Sequence, residues 1–280
     1  MDILSEAHGE PPVIVVTGAS KGLGAAIAEV AAEHGASVVL TARSQPELEV
    51  LANRIRQRGG KALSVAGDIA RLEDCRKIVA QTVQSFGRID ALINNAATIE
   101  PLGPVSELDS EEWAGHLAVN LLGPAMMCQL AIPFLRRTRG KVINVTSQAA
   151  EISLPGASAY SSSKAALNRF SKTMAVEEPD ITVILFIPGQ LDTPMQAVIR
   201  QKGKGKTNDD TYQYFVDLHQ QGRLLPPVTP ATAAVGLALN APVQWSGEVV
   251  EWDDERVQEI VRSLQEEHDA GAVIDNRITG

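Results

Sequence analysis

The stretch Val13–Gly35, VIVVTGASKGLGAAIAEVAAEHG, decides the fold. Its first five residues are all β-branched and all but Thr17 apolar, which reads as a strand buried on both faces. Three glycines follow, Gly18, Gly22 and Gly24 in the spacing GxxxGxG, and a run of helical period continues from Gly22 to His34. Glycines at a strand-to-helix turn permit positive φ and let a phosphate approach the backbone. The amino end of the helix adds unpaired N–H groups and the positive end of its dipole. A glycine triplet alone is a weak signal, and a turn without any ligand is its other reading. The position between the first strand and first helix of a βαβ unit gives it weight. The spacing is not GxGxxG, and the GK[ST] ending of a P-loop is absent.

Outward from that unit the same alternation repeats. SVVLT (Ser37–Thr41), KALSVA (Lys61–Ala66), DALIN (Asp90–Asn94), GKVINVTS (Gly140–Ser147), ITVILFI (Ile181–Ile187) and GEVVEW (Gly247–Trp252) read as further strands. Helical period separates the first six strands, over Gly22–His34, Pro46–Arg58, Leu72–Phe86, Glu111–Leu135 and Ser158–Glu177. Continuous apolar strands separated by helices predict a Rossmann-type α/β fold: a doubly wound, parallel, seven-stranded sheet with helices on both faces, in a single domain over residues 13–254. Residues 1–12 read as a flexible lead-in, and 255–280 as a charged tail that starts helical and turns irregular. Gln190–Arg223 breaks the rhythm. Its KGKGK (Lys202–Lys206) is polar and glycine-containing, and a long insertion after a strand's carboxyl end is a candidate substrate lid.

Composition narrows the function classes. With 280 residues, 44% of them hydrophobic and 21% charged, the chain can bury a sizeable core. A formal net charge of −9 argues against a nucleic-acid partner, which needs a basic face. Cys75 and Cys128 lie far apart and form neither CxxC nor a zinc pattern, so no metal site is read and a reducing compartment fits. MDILSEAHGEPP has no basic segment leading into an apolar run, and no apolar run approaches the roughly 18 residues that span a bilayer. The expectation is a cytoplasmic protein acting on a small molecule, with no nucleic-acid or membrane partner.

Two further patterns carry chemistry. An NAD site places an acidic side chain at the end of the second strand for the ribose 2′-hydroxyl, whereas a 2′-phosphate needs a cation. Here the strand ends VVLTARS, Arg43 takes that place, and Lys21 adds a second positive charge from the glycine loop. Ordinary surface cations are the alternative; together they favour NADP(H). In AYSSSKAALNRF (Ala159–Phe170), helical period puts Tyr160 and Lys164 one turn apart on one face. Taken alone, such a pair reads as solvated helix surface.

In order along the chain, TGASKGLG, Asp68 after the third strand, NNAA (Asn94–Ala97) after the fourth, Asn120 in the long helix, Ser147 after the fifth strand, YSSSK, and PGQLDT (Pro188–Thr193) resemble the short-chain dehydrogenase/reductase family. The resemblance covers nearly the whole chain, from Val13 to Asp254. It implies a reductase whose Tyr160 gives a proton to a carbonyl oxygen as hydride reaches the carbon. A free tyrosine has a pKa of about 10. The Lys164 ammonium, which would also hold the nicotinamide ribose, would lower it. Ser147 would donate a hydrogen bond to the same oxygen, or act only as a strand-end cap. Asn120 would hold a kinked helix and a water relaying protons to Lys164; a buried amide bonding backbone is the compatible alternative.

For the cofactor, the resemblance implies contacts from Gly18, Ser20, Lys21, Gly22, Leu23 and Gly24 in the loop. Asp68 would accept from the adenine amino group with Ile69 by the ring, and Asn95 and Ala96 would lie alongside. Asn94 would bond backbone near the cofactor. Pro188 and Gly189 would turn the chain over the nicotinamide with Leu191, and Thr193 would reach its carboxamide. The three serines after Tyr160 read as small residues that let ligands approach. One departure is Ala97 where the family has glycine; a positive φ there would cost alanine about 1 kcal/mol. Relatives pair through the two long helices, so a homodimer or homotetramer is expected.

PGQLDTPMQ, a polar insertion and SGEVVEWDD resemble the sepiapterin-reductase-like branch, which includes reducers of aromatic dicarbonyls. That implies Asp254 as a pterin anchor, with Gln148, Met195 and Gln196 lining the pocket. The other readings are a solvated carboxylate in the charged run Glu251–Glu255, and a mere start to the lid helix. Two other functions are weighed. A non-catalytic NADP(H) sensor would not need the intact Asn120, Ser147, Tyr160 and Lys164, and a Ser/Lys hydrolase on Ser147 and Lys164 lacks a G-x-S-x-G elbow.

Overall fold

Along Val13–Thr17 (β1) every side chain is buried, but alternate residues feed different cores: Ile14 and Val16 face one, Val13 and Val15 the other. The two-residue period of a strand between two helical layers requires this. The computed structural model describes residues 10–278, with side chains described through Glu266. In it, β2 (Ser37–Ala42), β3 (Lys61–Ala66), β4 (Ala91–Asn94), β5 (Lys141–Val145), β6 (Thr182–Ile187) and β7 (Val249–Glu251) join β1 in one sheet. All pairs are parallel, and the order is β3-β2-β1-β4-β5-β6-β7. This is the doubly wound, seven-stranded sheet that the sequence predicts. The order reverses at β1, which leaves a crevice outside the carboxyl ends of β1 and β4 where ligands of such sheets bind.

Helices α1 (Gly22–Glu33) and α2 (Gln45–Gln57) cover one face, and α3 (Leu72–Phe86) covers the other. The long helix expected over Glu111–Leu135 is α4 (Ser110–Leu117) and α5 (Gly123–Thr138), joined by a π-helical turn at Ala118–Leu122. Against the expectation of no apolar run of that length, Ser110–Thr138 is long and apolar enough by composition to cross a bilayer. Here Met127, Cys128, Ala131 and Leu135 of α5 are seated in the core on the sheet. The next helix, α6 (Ser158–Glu177), is keyed to the sheet by buried amides. Asn94 and Asn144 face each other in register across β4 and β5. The Asn94 side chain donates to Asn144 Oδ1 (2.8 Å), and Asn144 donates to the Ser171 hydroxyl of α6 (2.8 Å).

The insertion after β6 is not a loop. It holds α7 (Pro194–Lys202) and α8 (Asp209–Gln220), the latter capped by the Asn208 side chain, which accepts from Thr211 N–H at 3.1 Å. Ile199, Phe215 and Leu218 fold these helices onto Ile99, Leu102 and Ala157 in a third small apolar cluster. Helix α9 (Val228–Asn240) has no counterpart in the sequence reading. It is alanine-rich and buried almost all round, so no polar stripe reveals its period. Helix α10 runs Glu255–Ile278, so the irregular end expected of the tail is helical through 278, with Val257, Val261 and Leu264 buried. Residues 1–9 of the flexible lead-in and 279–280 of the tail lie outside the described residues. Among the described residues, Arg139 is the one non-glycine with positive φ (48°), so Ala97 carries no left-handed strain.

Candidate active site

The crevice has a built floor. The Thr17 hydroxyl accepts from the backbone N–H groups of Asn95 (3.0 Å) and Ala96 (3.1 Å), and the Asn95 side chain donates to the Thr17 carbonyl (2.9 Å). The backbone-binding role expected of Asn94 therefore falls to Asn95, because the Asn94 side chain lies inside the sheet. Gly18 and Gly22 have φ of 67° and 57°, which favour glycine. A Cβ at Gly18 would lie 2.8 Å from Ala96 Cα, and one at Gly24 would overlap the Gly18 carbonyl and the Asn95 amide. The segment after β6 closes the other side, since a Cβ on Gly22 would touch Thr193 at 3.4 Å. Helix α1 opens with no side-chain cap and no acidic residue in its first turn. Its leading N–H groups remain for an anion, so this cradle fits a dinucleotide pyrophosphate. Gly24→Ala is expected to destabilise the protein by about 1–3 kcal/mol through overpacking and to weaken dinucleotide binding. Thermal melting and a fluorescence titration check this; a variant unchanged in both would show that the loop yields freely.

At the end of β2, Arg43 is exposed, as is Lys21 in the glycine loop, and among the described residues neither side chain makes a hydrogen bond or ion pair. Nearby on α2 the pattern is the opposite: Arg54 pairs with Glu29 at 2.7 Å and Arg56 with Glu49 at 3.5 Å. Asp68 accepts from Ala70 N–H at 3.0 Å and stays half-buried. Ile69 is only 6% exposed and packs against Gly123, where a Cβ would lie 2.9 Å from its Cδ1, so little of it is left to meet a ring. Ser20 is half-buried in the loop, and Leu23 is buried in the core beneath it.

Helix α6 carries Tyr160 and Lys164 together, as its period predicts. The Lys164 ammonium is 5.6 Å from the Tyr160 ring centroid and donates to the Val145 carbonyl at the end of β5 (2.7 Å). That carbonyl is free because the chain leaves the sheet there, two residues before Ser147. The Ser147 hydroxyl accepts from Ala149 N–H at 3.1 Å, the strand-end cap of one reading, while its side chain also partners Tyr160. Burial pulls the Lys164 amine down to about 8. Burial also raises the Tyr160 phenol above its ordinary value, and the Ser147 hydrogen bond opposes this. The lowering expected from Lys164 is not what the free protein has: burial dominates, only the Ser147 hydrogen bond opposes it, and the phenol stays protonated at neutral pH.

Asn120 sits in the π turn, 1% exposed, where Oδ1 accepts from Thr98 N–H (2.9 Å) and Nδ2 donates to the Thr98 carbonyl (2.8 Å). Two neighbours escape the sequence reading. His116 Nε2 lies 2.9 Å from Asn120 Nδ2 and 3.0 Å from Ser163 Oγ. Ser163 donates to the Tyr160 carbonyl (2.7 Å), so one of the three serines is a network member and not merely small. The available signal was spacing: His116 precedes Asn120 by one helical turn, as Tyr160 precedes Lys164.

The residues read as substrate contacts are dispersed. Met195 packs against the cluster that includes Tyr160. Gln196 is 7% exposed and donates to Gln190 Oε1 at 3.0 Å. Gln148 is held by Glu251 at 3.2 Å. Asp254 caps α10, accepting from Arg256 N–H (2.9 Å) and pairing with its guanidinium (2.9 Å). Gly189 has φ 82°, and Trp252 fills the space where a Cβ would stand, 2.8 Å from its Nε1. Pro188 leads into this turn, and Leu191 beyond it is buried and bridges to Leu225.

A parallel sheet with this reversal, a glycine cradle at the crevice, and a tyrosine and lysine one turn apart define a nicotinamide-dependent oxidoreductase. The chain belongs to the short chain dehydrogenase family, whose sequence pattern matches residues 12–204. An uncharacterised oxidoreductase of Schizosaccharomyces pombe is 36% identical over 242 residues, 86% of this chain and 96% of that protein. The crystal structure of the KRED1-Pglu enzyme superposes with a TM-score of 0.82 at 37% identity, covering 85% of this chain and all (100%) of that one. An alcohol dehydrogenase from the archaeon Thermococcus sibiricus, complexed with 5-hydroxy-NADP, superposes with a TM-score of 0.73 at 28% identity, covering 86% and 96%.

Proposed function

We propose that the protein is an NADPH-dependent carbonyl reductase acting on a ketone or dicarbonyl, with Tyr160 as the proton donor. The observation that carries the reading is a desolvated, protonated phenol beside a buried lysine at the end of β5, where hydride chemistry on a carbonyl needs an acid. When bound, the dinucleotide supplies hydride to the carbonyl carbon. The chain does the rest. Gly18, Ser20, Gly22, Leu23 and Gly24 hold the pyrophosphate, Lys21 and Arg43 the 2′-phosphate, and Asp68 with the edge of Ile69 the adenine. Asn95, Ala96, Pro188, Gly189, Leu191 and Thr193 frame the nicotinamide half. Tyr160 gives its proton to the carbonyl oxygen, Ser147 donates a hydrogen bond to that oxygen, and Lys164 holds the ribose and offsets the resulting phenolate. Asn120 secures the loop at Thr98 and the relay that reprotonates the site.

Ile99, Leu102, Leu154, Met195 and Val198 form an apolar wall beside Tyr160 under the helices of the insertion. That wall suits an aromatic diketone, with Gln196 as its buried polar contact, and α7 and α8 as the lid. The pterin alternative of the same branch needs Asp254 free, whereas Arg256 holds it. Leu122 and Val176, 54% and 82% exposed on the two long helices, favour a homodimer or homotetramer built there. The two free thiols suit a reducing, cytoplasmic setting. NADPH consumption against a panel of diketones, quinones and pterins tests the reading. NADPH binding without turnover on any of them would leave a sensor in its place. Arg43→Ala is expected to raise the KM for NADPH about 10- to 100-fold, in line with one lost charge-assisted contact of roughly 1.5–3 kcal/mol, while leaving the NADH value near its starting point. Equal effects on both would refute the cofactor assignment.

A further inference from the structure

His116 has no part in the reaction proposed above, yet it is 2% exposed and hydrogen-bonded at both ring nitrogens. Nδ1 lies 2.6 Å from the Glu100 carbonyl, which can only accept, so Nδ1 carries the proton. Nε2 is then a bare acceptor in the neutral ring, and Asn120 Nδ2 donates to it at 2.9 Å. Ser163 does not compete, since its own proton goes to the Tyr160 carbonyl. The Asn120 N–H groups serve Thr98 and His116, with a longer 3.3 Å contact to Ser163 Oγ, and its oxygen holds Thr98 N–H. The imidazole also packs edge-on against the Tyr160 ring, with centroids 6.2 Å apart and planes at 81°.

We propose that His116 is a positioning residue which, as the neutral Nδ1–H tautomer, fixes the Asn120 amide and the Tyr160 ring, and whose protonation disables the site. A proton on Nε2 would turn to Ser163 Oγ, 3.0 Å away, and leave the Asn120 N–H only its longer 3.3 Å contact to that same oxygen, while the amide cannot flip without abandoning Thr98. The charged and titratable groups around the ring do not welcome a cation. From α6 come Lys164 and Tyr160. Glu100 offers its carbonyl to the ring, while its carboxylate is taken by Lys202 of α7 at 2.6 Å. Glu112, one turn earlier on α4, is exposed. Burial lowers the imidazole pKa most, the Lys164 charge lowers it further, and the Glu100 carbonyl partly restores it. The unfolded chain therefore takes up this proton at higher pH than the folded one, so the native arrangement weakens as pH falls through the ordinary histidine range.

The kinetic arm of the test rests on the carbonyl-reductase reading; the spectroscopic arms use the full chain without any substrate. Long-range 15N NMR should find His116 neutral and protonated at Nδ1 at pH 7; an Nε2–H tautomer or a charged ring would overturn the inference. His116→Leu should lower kcat about 10- to 100-fold with the KM for NADPH little changed, the scale of a misplaced catalytic group. His116→Gln, which keeps one donor and one acceptor but cannot titrate, should recover most of kcat and abolish the wild type's loss of kcat at acid pH. A Leu variant with full kcat, or a Gln variant that keeps the acid limb, would refute the role. If wild type reduces no carbonyl, only the functional reading falls. The phenolate absorbance of Tyr160, referenced to Tyr160→Phe, then decides with the NMR: a titration shifted by Leu and restored by Gln supports the inference, and one indifferent to both ends it.

Discussion

Tyr160→Phe is expected to cut NADPH-linked carbonyl turnover by about a hundred- to ten-thousand-fold, the range of a lost general acid, while NADPH affinity changes little. The substitution removes one oxygen from a ring held by packing against His116 and the apolar cluster around Ile99 and Met195. Ser147 remains to polarise the carbonyl, which accounts for residual activity. Because burial keeps the phenol protonated, the wild-type reduction should hold its rate through neutral pH and not require a prior ionisation. Stopped-flow NADPH oxidation at fixed pH reads both points. Turnover that survives the substitution would remove the phenol from the chemistry.

Lys164→Met should be as damaging to turnover, and should leave the free protein no less stable at pH 7. A buried ammonium whose only hydrogen-bond partner among the described residues is the Val145 carbonyl is poorly compensated. Its pKa of about 8 lies below the ordinary lysine value of 10.5. The unfolded chain holds more protons across that window, so stability climbs as pH rises from 8 to 10.5 and the full penalty is present below 8. That penalty is on the order of 3 kcal/mol by the usual conversion. A methionine of similar volume removes it. Filling the site with an anionic dinucleotide should return the proton to Lys164, so wild-type NADPH binding above pH 8 should take up protons and weaken as pH rises. Calorimetry in buffers of different ionisation enthalpy measures that uptake. Uptake that persists in Lys164→Met, or a large fall in the melting temperature of the free variant, would contradict this account of the lysine.

The sheet and the glycine cradle are legible in sequence because parallel strands buried on both faces leave unbroken apolar runs, and because a Cβ at Gly18 or Gly24 has nowhere to go. Tyr160 and Lys164 are legible from helical spacing together with motif order. What is lost is of two kinds. Helix α9 hides because an all-buried helix shows no amphipathic stripe. His116, Ser163 and the exchange of roles between Asn94 and Asn95 hide because they depend on which side chain turns inward, and adjacent residues of a strand end face opposite ways. Electrostatics misleads most. From sequence, Lys164 promises a lowered tyrosine pKa, whereas in the fold both groups are desolvated and burial governs each.

A crystal structure of the protein with NADP and an aromatic diketone tests the central claim most directly. The diketone oxygen should lie within hydrogen-bonding distance, about 2.6–3.2 Å, of both the Tyr160 and Ser147 hydroxyls, with Lys164 on the nicotinamide ribose. A diketone seated elsewhere, with Tyr160 turned from it and Lys164 touching no ribose oxygen, would contradict the account.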